Sequence, residues 1–318
     1  MRVRIGTRGS QLALAQTQEF IDSIQQANPH CEFEMKVIQT LGDRKQGTQF
    51  ASMGDKQDWI QGIDTALLDN EIDLAIHSGK DIPVDYNPET KCVPVGKRQP
   101  ANDVFIPQKG TNFTYETLPP DVIIGTASLR RKAQILNFNP NAKVVAHRGN
   151  INNRLVKLYS SEDLGGIVLA YAGLRRINLI NDTMQVLPLD LSVPAVNQGM
   201  LVAHYHKDRD EMKKLVSSRI DQETLACFTS ERQTVILLEA DCHSAIGTYA
   251  FVKDNQIKLH TRVLSYDGSE MIESIMSDDL VNAEALGRKV AEDLLVKGAS
   301  RLLAESTAIQ ASWTNGSI

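Results

Sequence analysis

Between Val3 and Leu179 the chain repeats one pattern four times, a short apolar run followed by a segment of helical periodicity. The pairs are Val3–Ile5 before Ser10–Gln26, Val122–Ile124 before Leu129–Leu136, Val144–Ala146 before Ile151–Tyr159, and Ile167–Ala170 before Leu174–Leu179. A further apolar run, Leu74–Ile76, ends in a polar turn. Runs that are apolar throughout suit strands buried on both faces, and the helices that alternate with them cover those faces. The order predicts an α/β chain with largely parallel sheets, whose ligands gather at the C-terminal ends of the strands.

Two stretches interrupt this order. Gly96-Lys97-Arg98-Gln99-Pro100 and Leu191-Ser192-Val193-Pro194-Ala195-Val196-Asn197-Gln198-Gly199 read as chain crossings between two lobes. The expected fold class is α/β, with two similar lobes forming a hinged cleft of the type II periplasmic-binding-protein kind. After about Ser218 the pattern changes. A long helix at Gln222–Leu238, strand-like runs at Gly247–Val252, Gln256–Leu264 and Glu270–Met276, and a helix at Ala283–Leu295 predict a smaller α+β domain. The expected divisions are residues 1–97 with 199–217, residues 98–198, and residues 218–318.

A net charge of −5 argues against a general nucleic-acid binder, since affinity for the phosphate backbone comes from a broad excess of Lys and Arg. Any basic site has to be local. No segment approaches the roughly 20 apolar residues of a membrane span, and MRVRIGTRGSQLAL has no apolar signal core. The expected compartment is the cytoplasm, with no membrane partner. Cys31, Cys92, Cys227 and Cys242 lie far apart without CxxC spacing, so neither a disulfide framework nor a metal site is expected.

Local basicity recurs at the turns. Arg8 stands in GTRGS, Arg130 and Arg131 in GTASLRRKAQ, Arg148 in AHRGN with Arg154 soon after, and Arg175 with Arg176 in AGLRR. Thr126 or Ser128 is placed to cap the helix that follows. Two guanidiniums in its first turn oppose the helix dipole, which a bound anion would offset. The same residues also fit a solvated Arg-Arg-Lys face. If the turns share a rim, the arginines converge on a polyanion. No GxGxxG or P-loop occurs at any of them, so several carboxylates suit the site at least as well as phosphate.

Three other features carry chemistry. His77-Ser78-Gly79-Lys80-Asp81-Ile82-Pro83 follows the Leu74–Ile76 run, so Asp81 reads either as an acid/base or cation-stabilising group at a strand end or as a turn aspartate bonded to nearby amides. Cys242 sits in the polar stretch Ala240-Asp241-Cys242-His243-Ser244, where a thiol is accessible enough to react. His204-Tyr205-His206 can place two imidazoles on one strand face, with an exposed strand the stronger reading.

In TRGSQLALAQ, HSGKDIP, GTASLRRKAQ, HRGNINNRL, VLAYAGLRRI, SVPAVNQG and the loop cysteine followed by AIGTYA, the sequence resembles the porphobilinogen deaminase (hydroxymethylbilane synthase) family. The resemblance runs from Arg4 to about Glu305 in the family's order of motifs. It implies a dipyrromethane cofactor joined by a thioether to Cys242. It also implies that successive porphobilinogen molecules lose ammonia and are attacked by the free α-carbon of a growing chain, which hydrolysis releases as a linear tetrapyrrole. Each pyrrole carries an acetate and a propionate, the polyanion that the arginines would meet. By resemblance, Asp81 is the catalytic aspartate, and a carboxylate there can hold pyrrole N–H groups and offset the cation formed as ammonia leaves. Lys80, Ser128, Arg130, Arg131 and Arg148 join Cys242 in holding the cofactor. Arg8, Ser10, Arg154, Arg176 and Gln198 hold the substrate, and Lys56 and Trp59 belong to a lid. The family also implies a monomer acting on a small molecule.

The departures from the family are local. Ala240-Asp241 and His243-Ser244-Ala245 stand where the family has a Gly-Gly pair and an apolar-Pro pair around the cysteine. Ser52 to Asp64 replaces a Gly-Lys-Gly-Leu-Phe run and Lys-Glu-Leu, Asn197 replaces a glycine, and Ala101-Asn102 replaces a Pro-Arg pair. Two alternatives to the ordinary enzyme follow. One is a paralogue that transfers the pyrrole to another acceptor or stops at another chain length, and the other is a non-enzymatic polycarboxylate-binding protein.

Overall fold

The computed structural model describes residues 1–38, 56–240 and 244–314. The chain divides into two compact units, Met1–Gln99 with Gly199–Leu225, and Pro100–Gln198 with Ala226–Ile318. In chain order the first unit carries β1 (Arg2–Thr7), α1 (Gln11–Gln25), β2 (Glu32–Val37), α2 (Lys56–Leu68), β3 (Leu74–Ser78), a 3-10 turn at Gly79–Asp81, and β4 (Thr90–Val95). The second carries β5 (Asp103–Pro107), β6 (Ile123–Thr126), α3 (Leu129–Phe138), β7 (Lys143–Ala146), α4 (Ile151–Ser160), β8 (Leu164–Ala170), α5 (Tyr171–Arg176) and β9 (Gln185–Val186). The chain returns for β10 (Leu201–His206) and α6 (Asp210–Ser217). It ends with α7 (Gln222–Leu237), β11 (Ile246–Lys253), β12 (Gln256–Leu264), β13 (Met271–Asp279), α8 (Ala283–Val296) and α9 (Ala299–Thr314).

The two α/β lobes have the same strand plan. The first sheet runs β2-β1-β3-β10-β4 and the second β7-β6-β8-β5-β9. In each, three strands are parallel, and the strand that enters from a chain crossing, β10 or β5, is antiparallel to both of its neighbours. This is the expected type II periplasmic-binding-protein arrangement, and the antiparallel sheet β11-β12-β13 with its helices supplies the smaller α+β portion. Gly199 begins the return to the first unit with φ +90°, and a Cβ there would collide with Gln99 O, so glycine is required at that crossing.

Alternation along the first sheet sorts its side chains. Leu74, Ile76, Leu201, Ala203 and Tyr205 join Phe20, Ile21 and Ile24 of α1 and Met212, Leu215 and Val216 of α6 in one core. Each fully buried Leu, Ile or Phe stabilises the lobe by about 1.5–3 kcal/mol. Ala75 packs on the opposite face with Ile63, Ala66 and Leu67 of α2, so alternation also puts His77 and His204 on the α2 side. An exposed strand at His204-Tyr205-His206 is therefore not what forms. β10 is paired on both sides, by β3 and β4, and His204 has no exposed surface.

The solvated reading of the Arg-Arg-Lys face also fails. Leu129 to Ile135 are all buried, including Arg130, Arg131 and Lys132. Leu129 and Ala133 pack with Ala245 and Leu264, while Asn137 Nδ2 donates to Gly268 O at 2.9 Å. The C-terminal α+β elements thus cover the helix face that a lone α/β lobe would leave in water. Two boundaries differ from expectation as well. α5 starts at Tyr171 rather than Leu174, and α9 extends the chain's helical content beyond the expected last helix.

Candidate active site

β1 and β3 are parallel neighbours, so Thr7 and Ser78 end at the same edge of the first sheet. There Arg8, Ser10, Gln16, His77, Ser78 and Asp81 line one pocket, with Leu12, Ala13, Ile60 and Ile76 as its apolar wall. Ser10 caps α1, its Oγ accepting from Ala13 N at 3.2 Å, which leaves the hydroxyl proton to donate elsewhere. Gln16 Nε2 donates to Ser78 Oγ at 2.7 Å and ties α1 to the end of β3. Asp81 closes the 3-10 turn and is exposed. The His77 imidazole is pulled down to about 4, by burial first and then by the charge of Arg8, so the ring is neutral near pH 7. The pocket combines a cation and hydroxyl donor with a carboxylate and a neutral imidazole.

The second unit holds a buried charge cluster. Ser128 caps α3, accepting from Arg131 N at 3.5 Å. Arg130 Nη1 donates to Asp103 Oδ2 at 2.8 Å and to Val193 O at 2.7 Å. Arg131 Nη2 donates to Asp103 Oδ1 at 2.7 Å and Nη1 to Val168 O at 3.0 Å. Ser192 Oγ and Gln198 Nε2 also donate to Asp103, at 3.0 and 2.8 Å, and Gln198 Nε2 reaches Ala101 O at 2.6 Å. Burial alone would raise the Asp103 carboxyl. The charges and hydrogen bonds of the two arginines outweigh it and hold the group far below the ordinary carboxylate range. Two guanidiniums against one carboxylate leave the cluster with one net positive charge. Nε of Arg130 and Nε of Arg131 are buried with no hydrogen-bond partner among the described residues.

The remaining expected residues are spread over both units. Lys80 lies in the 3-10 turn beside Asp81, half-buried. Arg148 lies between β7 and α4, Arg154 in the first turn of α4, and Arg176 at the end of α5, all half-buried. Lys56 and Trp59 fall in the first turn of α2, with their side chains outside the described residues. Cys242, with Asp241 and His243, also lies outside the described residues.

Three residues in these sites were not singled out from the sequence. Gln16 lies six positions after Ser10 on α1, and Asp103 follows the Ala101-Asn102 departure directly. The third, His77, opens HSGKDIP, in which Lys80 and Asp81 are the adjacent base and acid. Asp103 is the first carboxylate after the chain crossing, but nothing in the sequence pairs it with the arginines, which packing between distant residues brings to it.

The family model for the porphobilinogen deaminase dipyrromethane cofactor binding domain matches residues 3–214, and that for the porphobilinogen deaminase C-terminal domain matches residues 225–296. A porphobilinogen deaminase of Exiguobacterium sp. is 38% identical over 306 residues, covering 95% of this chain and 98% of that protein. One of Geobacillus kaustophilus is 38% identical over 300 residues, covering 94% and 96%. One of Desulforamulus reducens is 34% identical over 304 residues, covering 96% and 97%. With both domains matched in order and relatives aligned along nearly the whole length, the chain belongs to the porphobilinogen deaminase family of enzymes.

Proposed function

We propose that the protein deaminates porphobilinogen and condenses four molecules head to tail on a covalent dipyrromethane primer, releasing hydroxymethylbilane by hydrolysis. It is a transferase working in the cytoplasm as a monomer. The observation that carries this reading is the pairing of Arg8 and Asp81 in one pocket. Porphobilinogen bears two carboxylates and an aminomethyl cation on one pyrrole, so it needs a donor and an anionic acceptor within the width of a single ring.

Arg8 and the Ser10 hydroxyl hold a substrate carboxylate, and Asp81 accepts from the pyrrole N–H. As ammonia departs, positive charge develops on the ring, and the Asp81 carboxylate offsets it in place. The apolar wall of Leu12, Ile60 and Ile76 keeps competing water from the reactive carbon.

The Arg130–Arg131 cluster suits the primer, since its buried Nε–H donors lack partners among the described residues and its net charge is positive. Cys242 would carry the group through sulfur, with Lys80, Ser128 and Arg148 adding donors. When bound, the primer supplies the free α-carbon that begins the chain. Arg154, Arg176 and Gln198 serve later rings, and Lys56 and Trp59 belong to the cover of the site.

Ammonia release and product absorbance on adding porphobilinogen to the purified protein test the reading. Stoichiometric ammonia with a four-ring product supports it. Ammonia without that product would point to the paralogue, and neither would leave a binding protein.

A further inference from the structure

The turn between β7 and α4 carries Arg148 and leads to Arg154, and two side-chain bonds tie it to that helix. His147 Nε2 lies 2.8 Å from Arg154 O. A carbonyl oxygen can only accept, so Nε2 is a protonated nitrogen of the ring whatever the ring's charge. In the other direction, Lys157 Nζ donates to Arg148 O at 3.1 Å. One bond therefore runs from the turn to the helix and the other from the helix to the turn.

The surrounding backbone explains why the turn needs both. His147 N donates to Thr126 O at 3.0 Å, extending the β6–β7 ladder, and the His147 side chain is buried. A Cβ at Gly125 would stand 2.9 Å from His147 Cβ and 3.0 Å from Ile167 Cγ2, so the histidine takes the space that glycine leaves. Gly149 follows with φ +127°, a backbone that other residues rarely adopt. Asn150 then caps α4, its Oδ1 accepting from Asn153 N at 2.8 Å. Glycine leaves the chain free to pivot between the two arginines, and the bonds at His147 and Arg148 fix it just before that point.

We propose that His147 and Lys157 are positioning residues that hold Arg148 and Arg154 at the spacing of carboxylates on successive pyrrole rings. The proposal rests on the function given above, in which Arg148 holds the primer and Arg154 a later ring. Rings joined head to tail repeat their acetates and propionates, so two guanidiniums grip neighbouring rings together when their own separation is fixed. Both bonds end on main-chain carbonyls and hold the arginine backbones without using a guanidinium N–H.

Imidazole suits this place. Burial pulls the His147 ring below its ordinary value, the charges of Arg154 and Lys157 add to this, and the bond to Arg154 O opposes it. From β6 and β8 the ring meets Gly125 and Ile167, which bring no charge. It is a neutral donor near pH 7 and leaves the charge of the site to the arginines.

Steady-state ammonia release from the holoenzyme with porphobilinogen tests the role. His147→Leu is expected to raise KM about fivefold and leave kcat within about twofold, since the loss of one net hydrogen bond is felt in binding rather than in chemistry. His147→Gln, whose amide nitrogen can reach Arg154 O, should restore KM. Because Nε2 keeps its proton in both charge states of the ring, the Gln variant should also follow the parent's kcat/KM profile from about pH 5 to 8. Lys157 is exposed, so Lys157→Met should fold and raise KM to a similar extent. Combined with His147→Leu it should raise KM by less than the product of the two effects, because both bonds hold one turn. An unchanged KM in both single variants, a loss confined to kcat, or a Gln profile that departs from the parent's overturns the proposal. If His147→Leu does not fold, the Gln and Met variants decide by the same criteria. A parent that releases no ammonia removes the reaction and this role with it, whereas normal turnover with unchanged KM in the variants removes the role and keeps the reaction.

Discussion

Arg130 Nη1 meets Asp103 Oδ2 at 2.8 Å with both side chains sealed from solvent, at 4% and 0% exposure. Arg131 Nη2 holds the other carboxylate oxygen at 2.7 Å. The anion that the adjacent arginines of GTASLRRKAQ contact is thus one of the protein's own residues. It orients both guanidiniums toward β5, Arg130 also reaching the Val193 carbonyl and Arg131 the Val168 carbonyl, while leaving them in charge excess.

Removing one partner strands the other in a low-dielectric interior, so Asp103→Ala is expected to lower the unfolding free energy by about 3–5 kcal/mol. Arg130→Leu should also destabilise, because Asp103 and Val193 O both lose a donor. The helix dipole by itself gives the opposite expectation, that losing a cation from the first turn is neutral or slightly helpful. Urea unfolding of each variant decides between them. An Arg130→Leu midpoint equal to the parent's would show that the pair contributes nothing to the fold.

Acid should weaken the first unit in a way that Asp64 moderates. His77 and His204 are held near 4 and 3, below the ordinary 6.5, so between about pH 6.5 and 4 the unfolded chain binds up to two more protons than the native one. Burial lifts Asp64 to about 6, so from about pH 4 to 6 the native state holds a proton there that the unfolded chain has released. The difference is about one proton, and stability should fall by roughly 1.4 kcal/mol per pH unit on acidification through this window. Asp64→Asn removes the compensation, so its stability should fall more steeply. Unfolding midpoints at three pH values measure both slopes, and a flatter Asp64→Asn slope would contradict the assignment.

Asp81 is exposed at the end of a 3-10 turn, so Asp81→Ala should melt within about 2 °C of the parent. We expect it to bind pyrrole carboxylates through Arg8 while turnover drops by several orders of magnitude, since the developing cation loses its counter-charge. Steady-state ammonia release checks this. Near-normal product formation would remove Asp81 from the mechanism.

For Cys242, neighbouring charge and steric bulk oppose attachment while the arginines favour it. Asp241 disfavours the thiolate, and the missing glycines restrict approach of the primer. A polycarboxylate already drawn to the arginines raises the effective concentration of the electrophile enough to overcome this. Intact mass of apo-protein exposed to preformed hydroxymethylbilane should show a four-pyrrole addition less one water, which two porphobilinogen additions and hydrolytic release of a tetrapyrrole reduce to two pyrroles, and Cys242→Ser should abolish both. Attachment should be faster in Asp241→Gly, with Cys31, Cys92 and Cys227, all buried, unmodified. An addition that survives Cys242→Ser would place the link elsewhere.

The sequence by itself determined the elements whose physics is local. Apolar runs followed by capped helices predicted β1 with α1, β6 with α3 and β7 with α4, and the cap of α3 was narrowed to Thr126 or Ser128, of which the structure uses Ser128. Its motifs also placed Asp81, Arg8 and Ser10 at strand ends, and these three do line one pocket. What only the tertiary structure decided was burial. Arg130, Arg131 and Lys132 read as a surface run because charge normally stays in water, and they are interior because Asp103, Val168 and Val193 meet the two guanidiniums while elements more than a hundred residues later pack on Leu129 and Ala133 of α3. His204 read as part of an exposed strand because a polar triplet looks like an edge, yet β10 fills the space between β3 and β4 only after the chain has left the first lobe and returned. Asp103 as the partner of both arginines, and the His77–His204 contact behind the Asp81 pocket, join residues far apart in the chain. Periodicity reports which face of an element is apolar, whereas long-range packing decides which polar groups end up under cover and facing one another.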